Sequence, residues 1–137
     1  MEFRITNDGK ETDIAEIYKM LKEYNLSKRE KSEDVPLGIY HEDENGNKQA
    51  GLVADTFGNW LCIHYLFVAE GLRGHGMGKE LIAAAEKEAI KRGCKYAFVD
   101  TFSFQAPEFY KKLGYKEVFS LREYPYAGAR YYYTKEL

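Results

Sequence analysis

A chain of 137 residues with 45% hydrophobic residues and a formal net charge of −2 is long enough for one domain with a real core, and it lacks the basic footprint of a nucleic-acid-binding domain. No apolar run approaches the roughly eighteen residues needed to cross a bilayer, and Met1-Glu2-Phe3-Arg4-Ile5-Thr6-Asn7-Asp8 has no signal-peptide core, so neither nucleic acid nor membrane is an expected partner and a cytoplasmic location is expected. Cys62 and Cys94 stand outside any CxxC pair or His spacing, so buried or partly buried free thiols are expected, not a zinc site.

In chain order, Phe3 to Ile5 suggests a short first strand. A helix follows over roughly 12 to 24, where Ile14, Ile17, Tyr18 and Leu21 share one face. Ser27-Lys28-Arg29-Glu30 offers a capping box for a second short helix. Strands at about 37–41 and 48–55 are joined through Glu44-Asn45-Gly46-Asn47, in which Asn-Gly is a hairpin signal. Gly58-Asn59 then turns into a strand over Trp60 to Val68. From Met77 the apolar residues Met77, Leu81, Ile82, Ala85, Ala89 and Ile90 recur at helical spacing, Glu88 and Arg92 form an i,i+4 pair, and the helix stops near Gly93. Tyr96 to Asp100 is the next strand. A short helix opens at Pro107 and closes at Gly114, and the last strands lie near 116–121 and 130–135. The order is that of an α/β domain over residues 1–137, with a mixed, mostly antiparallel sheet flanked by helices.

The junction between the 60–68 strand and the helix that follows is Arg73-Gly74-His75-Gly76-Met77-Gly78, with three glycines at alternate positions. Glycine lets a ligand approach the backbone, first-turn N–H groups lack intrahelical acceptors, and the helix dipole places partial positive charge there. A phosphate or pyrophosphate suits such a loop, with Arg73 as a charged planar fork beside it. A P-loop does not fit, because Gly78-Lys79 has Arg73 where the first glycine belongs and Glu80 where Ser or Thr belongs. A dinucleotide fingerprint does not fit either, since the third glycine position falls on Lys79 or Leu81.

Arg73, Gly76 and Gly78 do satisfy Arg-x-x-Gly-x-Gly, which resembles the pyrophosphate-binding motif of the GNAT superfamily of acyl-CoA-dependent N-acyltransferases. Ala106-Pro107-Glu108-Phe109-Tyr110-Lys111-Lys112-Leu113-Gly114-Tyr115 resembles that family's second signature, an aromatic-Tyr pair on a short helix ending in Leu-Gly-aromatic. The resemblance is close over about 60–120 and covers the rest in outline. It implies that the strands before the two motif helices splay apart to open a cleft for acetyl-CoA. The backbone of Leu66, Phe67 and Val68 would pair with the pantetheine arm as an added strand does, while their side chains read as core. Arg73, Gly74, His75, Gly76, Met77, Gly78 and Lys79 would hold the pyrophosphate, with His75 flanking it. Ser103 stands where many members have an Asn that contacts the arm, and either its hydroxyl or the nearby Gln105 amide could substitute.

The implied reaction is acetyl transfer to a primary amine, which needs a deprotonated nucleophile and a proton for the leaving thiolate. Tyr110 occupies the position of the family's general acid; the alternative is that it packs against the cofactor. A phenol near about 10 giving its proton to a thiolate near about 8.5 is uphill by about 2 kcal/mol, so a hydrogen bond to the thiolate suits it better than full transfer. His64 is the leading candidate for the base, with Glu70 behind it, and a structural histidine is the alternative. For the acceptor, Glu30, Glu33 and Asp34 could attract a cation, and Tyr124, Tyr126, Tyr131, Tyr132 and Tyr133 could line an amine pocket; a solvated face and an ordinary tyrosine-rich strand are the other readings. A small-molecule amine is preferred to a protein lysine or N-terminus, a non-catalytic acyl-CoA-binding module is the alternative from another class, and a homodimer is left open.

Overall fold

Glu11–Lys28 forms one continuous helix, α1, in the computed structural model, which describes all residues 1–137. The helix runs into the expected capping box and ends there, at Lys28. Ser27 does not cap a second helix, because its hydroxyl donates to the Tyr24 carbonyl one turn back at 2.6 Å. The chain leaves the helix at Arg29, whose backbone is extended. The expected first strand is also absent: 1–10 carry no strand, and Arg4 pairs with Asp13 at 3.1 Å. Three alternating residues offer few ladder bonds, and no partner strand takes them up. Met1–Ser32 forms one unit and Glu33–Leu137 the other, and no helix is long and apolar enough to span a membrane.

The second unit is built on a six-stranded sheet. Strands β1 (Asp34–Glu42) and β2 (Lys48–Phe57) form the expected hairpin. Asp43 organises its turn by accepting the N–H groups of Asn45 and Asn47, each at 2.9 Å. β3 (Trp60–Val68) returns antiparallel to β2. After helix α2 (Met77–Lys91), strand β4 (Tyr96–Phe102) lies parallel to β3; helix α3 (Pro107–Lys112) leads to β5 (Lys116–Arg122) and β6 (Ala129–Glu136). The order across the sheet is β1-β2-β3-β4-β6-β5, with β3–β4 its one parallel pair. This is the mixed, mostly antiparallel α/β architecture read from the sequence.

Period-two alternation decides which sheet face is covered. Ala50, Leu52, Ala54 and Thr56 of β2 are buried, as are Leu61 and Ile63 of β3 and Ala97 and Val99 of β4. Against them α2 lays Leu81, Ile82, Ala85 and Ala89, with Met77 partly buried beside them; Ile90, expected on the same face, is exposed, one step of about 100° round from Ala89. Arg92 does more than pair with Glu88: one guanidinium nitrogen donates to the carbonyls of Val35 and Pro36 and to the Thr56 hydroxyl at 3.1–3.2 Å. That ties the end of α2 to the first hairpin and satisfies a buried threonine. At the other edge, Glu86 of α2 accepts from Tyr115 at 2.8 Å and from Lys135 at 3.1 Å. Both fastenings hold α2 firmly, so its N-terminus has a fixed place beside β3. Cys62 and Cys94 are free thiols, partly buried and buried.

Candidate active site

The parallel ladder between β3 and β4 holds for only four pairs, from Trp60–Tyr96 to Ile63–Val99. Beyond it the strands part. His64 on one arm and Asp100 on the other are the first residues past the fork, and a cavity of about 900 Å³ opens there. The cavity runs along 63–68 of β3 to Arg73, Gly74, Gly76, Met77, Gly78 and Lys79; its other wall carries Val99, Asp100, Thr101, Gln105, Phe109 and Tyr110.

A β-bulge sits at the fork. Ala54 of β2 faces Ile63, but Val53 faces Tyr65, so His64 is an extra residue with no partner in the ladder. The insertion also changes parity: Leu61 and Ile63 are buried before it, whereas Leu66 and Val68 pack on the same core after it. β3 thus keeps its apolar side on the core while its backbone bends away from β4.

At the far end, Gly74 and Gly76 both have φ +82°, and a side chain at Gly76 would point into open space. Glycine there supplies a left-handed backbone and leaves the approach to α2 clear. The first intrahelical bond is Glu80 N–H to the Gly76 carbonyl at 3.0 Å, so the N–H groups of Met77, Gly78 and Lys79 have no acceptor inside the helix. Gly78 has a steric role: a Cβ would lie 3.2 Å from the Phe109 ring, so glycine lets the first turn of α2 lie against α3. Arg73 is anchored through Nε to the Val68 carbonyl at 2.8 Å and lies over the Phe67 ring, which leaves its terminal nitrogens for a ligand. Two cations, exposed N–H groups and an open backbone fit a pyrophosphate.

Near the fork, Tyr110 sits between Phe109, Tyr115 and Tyr133, with ring centroids 5.1–6.3 Å away, and is 7% exposed. Burial, and secondarily the negative charge of Asp100, push its phenol up to about 12. It therefore stays protonated at any pH at which the protein would work. Asp100 accepts from Arg130 Nε at 2.7 Å, and Arg130 is boxed by the rings of Phe102, Tyr124 and Tyr132. His64 Nε2 lies 2.6 Å from Asp55 Oδ1 across the β2–β3 hairpin.

Comparisons with known proteins decide the family. The acetyltransferase (GNAT) family model matches residues 9–115. The chain belongs to the GNAT acetyltransferase family. It is 38% identical over 98 residues to Acetyltransferase Atu2258 of Agrobacterium fabrum (strain C58 / ATCC 33970), covering 72% of each chain. It is 39% identical over 106 residues to the Blasticidin-S acetyltransferase of Streptomyces morookaense, covering 74% of this chain and 78% of that one. A crystal structure of an acetyltransferase from Agrobacterium tumefaciens superposes with a TM-score of 0.94 at 31% identity, over 100% of both chains.

This GNAT enzyme is an acetyl-CoA-dependent N-acetyltransferase, and its cleft gathers most of the residues singled out from sequence. His64, Leu66, Phe67, Val68, Arg73, Gly74, Gly76, Met77, Gly78, Lys79 and Tyr110 all line the cavity. Two do not. His75 is an exposed loop residue outside the lining. Ser103 is engaged elsewhere: its hydroxyl accepts the Ala129 N–H at 3.0 Å and its own N–H donates to the Ala129 carbonyl, tying β4 to the start of β6. Gln105 lines the cavity instead, with its side-chain oxygen held by the Phe102 N–H at 2.7 Å and the Thr101 hydroxyl at 3.1 Å. Both hydrogen bonds fix the amide so that its NH₂ is the end left to donate.

Four of the five tyrosines expected to line an acceptor pocket are engaged otherwise, and Tyr126 is exposed. Tyr133 is buried under Tyr110, Tyr131 packs on the core, and Tyr124 and Tyr132 enclose Arg130. Glu70 is exposed at the start of a single turn, Glu70–Leu72, and does not line the cavity, although Leu72 does. Asp55, Asp100 and Arg130 were missed. Counting from the Gly58-Asn59 turn places Asp55 diagonal to His64, and Asp100 is the one charge ending an apolar strand, so both had a readable signal.

Proposed function

We propose that this GNAT enzyme acetylates the primary amine of a small cationic molecule. The observation that carries the reading is the charge layout of one continuous cleft. Arg73 and Lys79 lie at the glycine-loop end, and Asp100 is the lone carboxylate in the lining, at the fork. A donor with an anionic tail enters with that tail toward the loop, and an acceptor bearing an ammonium group is drawn to the fork. Arg130 holds Asp100 through Oδ2 and leaves Oδ1 for such a cation. The Blasticidin-S acetyltransferase, which by its name acts on blasticidin-S, supports a small acceptor over a protein one.

Within this reading the loop residues Arg73, Gly74, Gly76, Met77, Gly78 and Lys79 bind the pyrophosphate, and the β3 backbone at Leu66, Phe67 and Val68 receives the pantetheine arm where β4 has left it. Gln105 takes the amide contact that Ser103 is too engaged to make. Acetyl-CoA supplies the thioester carbonyl. An alkylammonium near about 10.4 must lose a proton before it attacks, and His64 at the fork accepts it, imidazole being the side chain that titrates near neutrality.

Tyr110 donates a hydrogen bond to the departing thiolate. With the phenol at about 12 and a thiol near about 8.5, full transfer is uphill by about 5 kcal/mol, so Tyr110 stabilises the sulfur's charge and the proton reaches it from solvent.

Following free thiol release with acetyl-CoA and a panel of acceptors tests the proposal. Small cationic amines should turn over faster than neutral amines of the same size and faster than lysine or N-terminal peptides. Equal rates for charged and neutral acceptors, or a preference for peptides, would overturn it.

A further inference from the structure

We propose that Asp55 is the positioning residue for His64. The inference rests on the reading of His64 as the proton acceptor and adds the group that makes it one. Asp55 belongs to the regular part of β2 and faces Cys62. On an unbulged register His64 would face Val53, locked into the ladder on one side and close to the last β4 pair on the other. The extra residue frees it from β2 at the same step at which β3 loses β4. What remains to orient the ring is one hydrogen bond, Nε2 to Asp55 Oδ1 at 2.6 Å, beside the tilted ring of Tyr65 with centroids 6.5 Å apart.

That contact chooses the tautomer. A carboxylate accepts and cannot donate, so Nε2 carries the proton and Nδ1 is left as the basic nitrogen. The two side chains are unequally screened: Asp55 is 20% exposed and His64 50% exposed. The anion is thus held in a sheltered place while the ring reaches the cavity that His64 lines. The acceptor's ammonium gives one proton to Nδ1; the freed amine then forms its bond to the acetyl carbon as the carbon–sulfur bond breaks, and its second N–H proton leaves to the solvent from which the thiolate is protonated. Nε2 keeps its own proton, and Asp55 remains ionised beside the imidazolium, as in other carboxylate-oriented histidines.

The experiment pairs kinetics with ¹⁵N NMR of the histidine ring. The neutral ring of His64 should carry its proton on Nε2 in the wild-type protein, and Asp55→Asn, whose NH₂ can donate to that nitrogen, should shift the population toward the Nδ1–H form. The same variant should lower kcat roughly 10- to 100-fold, a part of what general-base catalysis contributes, with the KM for acetyl-CoA unchanged. Asp55→Glu, which restores a carboxylate, should recover part of the rate. In the His64→Gln background Asp55→Asn should cost nothing further, because a positioning residue acts only through the group it positions. Additive losses, or an unchanged ring signature in Asp55→Asn, would overturn the assignment of Asp55 and leave His64 standing. A full rate in His64→Gln would instead remove the base reading and this inference with it.

Discussion

The two ends of the cleft are built in opposite ways. The loop end is contiguous: Arg73 to Lys79 lie in one stretch of chain, and what they offer is mostly backbone, with a left-handed turn at Gly74 and Gly76 and unbonded N–H groups at the start of α2. The fork end is assembled. His64 comes from β3, Asp55 from β2, Asp100 from β4, Arg130 from β6 and Tyr110 from α3, and each is held by a contact between elements. In the proposed reading the loop takes the anion of the donor, and selectivity and chemistry depend on side chains that the fold must bring together. Substitutions at the fork should therefore change turnover, and substitutions at the loop should change affinity.

The largest effect is expected from Tyr110→Phe. Losing one preorganised donor to a developing negative charge typically costs 10²- to 10³-fold in kcat. Acetyl-CoA affinity by calorimetry should stay within about threefold, since the ring and its packing are kept. A parallel loss of affinity would mean that Tyr110 acts by packing and would break the division between the two ends.

At the loop, Gly76→Val forces a β-branched residue to φ +82°, which costs about 1–3 kcal/mol where the backbone is held, and puts a side chain into the anion's approach. Acetyl-CoA affinity should fall roughly 100-fold, with the circular dichroism of the fold retained. Unchanged affinity would refute the loop assignment. Arg73→Gln is milder, because a charge-assisted bond contributes about 1.5–3 kcal/mol and Lys79 remains. A loss of about tenfold or more in affinity, with weaker salt dependence, is expected; an effect on kcat alone would place Arg73 at the wrong end of the cleft.

This difference also explains what could be read without coordinates. Every feature of the loop lies within a few residues of sequence, so spacing excluded the P-loop and dinucleotide motifs and the family resemblance picked out Arg73, Gly76 and Gly78. From β1 onward the strand–helix order survived for the same reason, as periodicity and turn signals are local. The fork was legible only in pieces. His64 and Tyr110 could be named, but the bulge that frees His64 follows from how β2, β3 and β4 compete for pairing, which no window of sequence contains. Ser103 could not be distinguished from Gln105, because their fates depend on β6 arriving at Ala129. The tyrosine-rich end of the chain misled for a related reason: alternate residues of one strand serve the core and the Arg130 box, and composition does not separate the faces. The missing first strand and second helix came from signals three and four residues long, short enough for Arg4–Asp13 and the Ser27 back-bond to prevail.

The smallest predicted effect concerns stability, and it tests whether Tyr110 is as sheltered as its proposed role requires. A tyrosine whose folded-state pKa is raised binds its proton more tightly in the folded than in the unfolded chain. Its contribution is fully present below the unfolded value near about 10 and is lost as pH rises through the folded value of about 12. Two pH units correspond to roughly 2–3 kcal/mol at full ionisation. Tyr115 and Tyr133 are raised as well, each chiefly by burial, so the wild-type midpoint in denaturant should fall steeply above pH 10. Tyr110→Phe removes one of these ionisations and leaves the others, so its stability curve should be shallower between pH 10 and 12 while matching the wild type's shape at neutral pH. Parallel curves would mean that the phenol ionises in the folded state as it does in water. The donor at the fork would then be open to solvent, and the contrast between a backbone-built binding end and a sheltered side-chain end would lose its chemical basis.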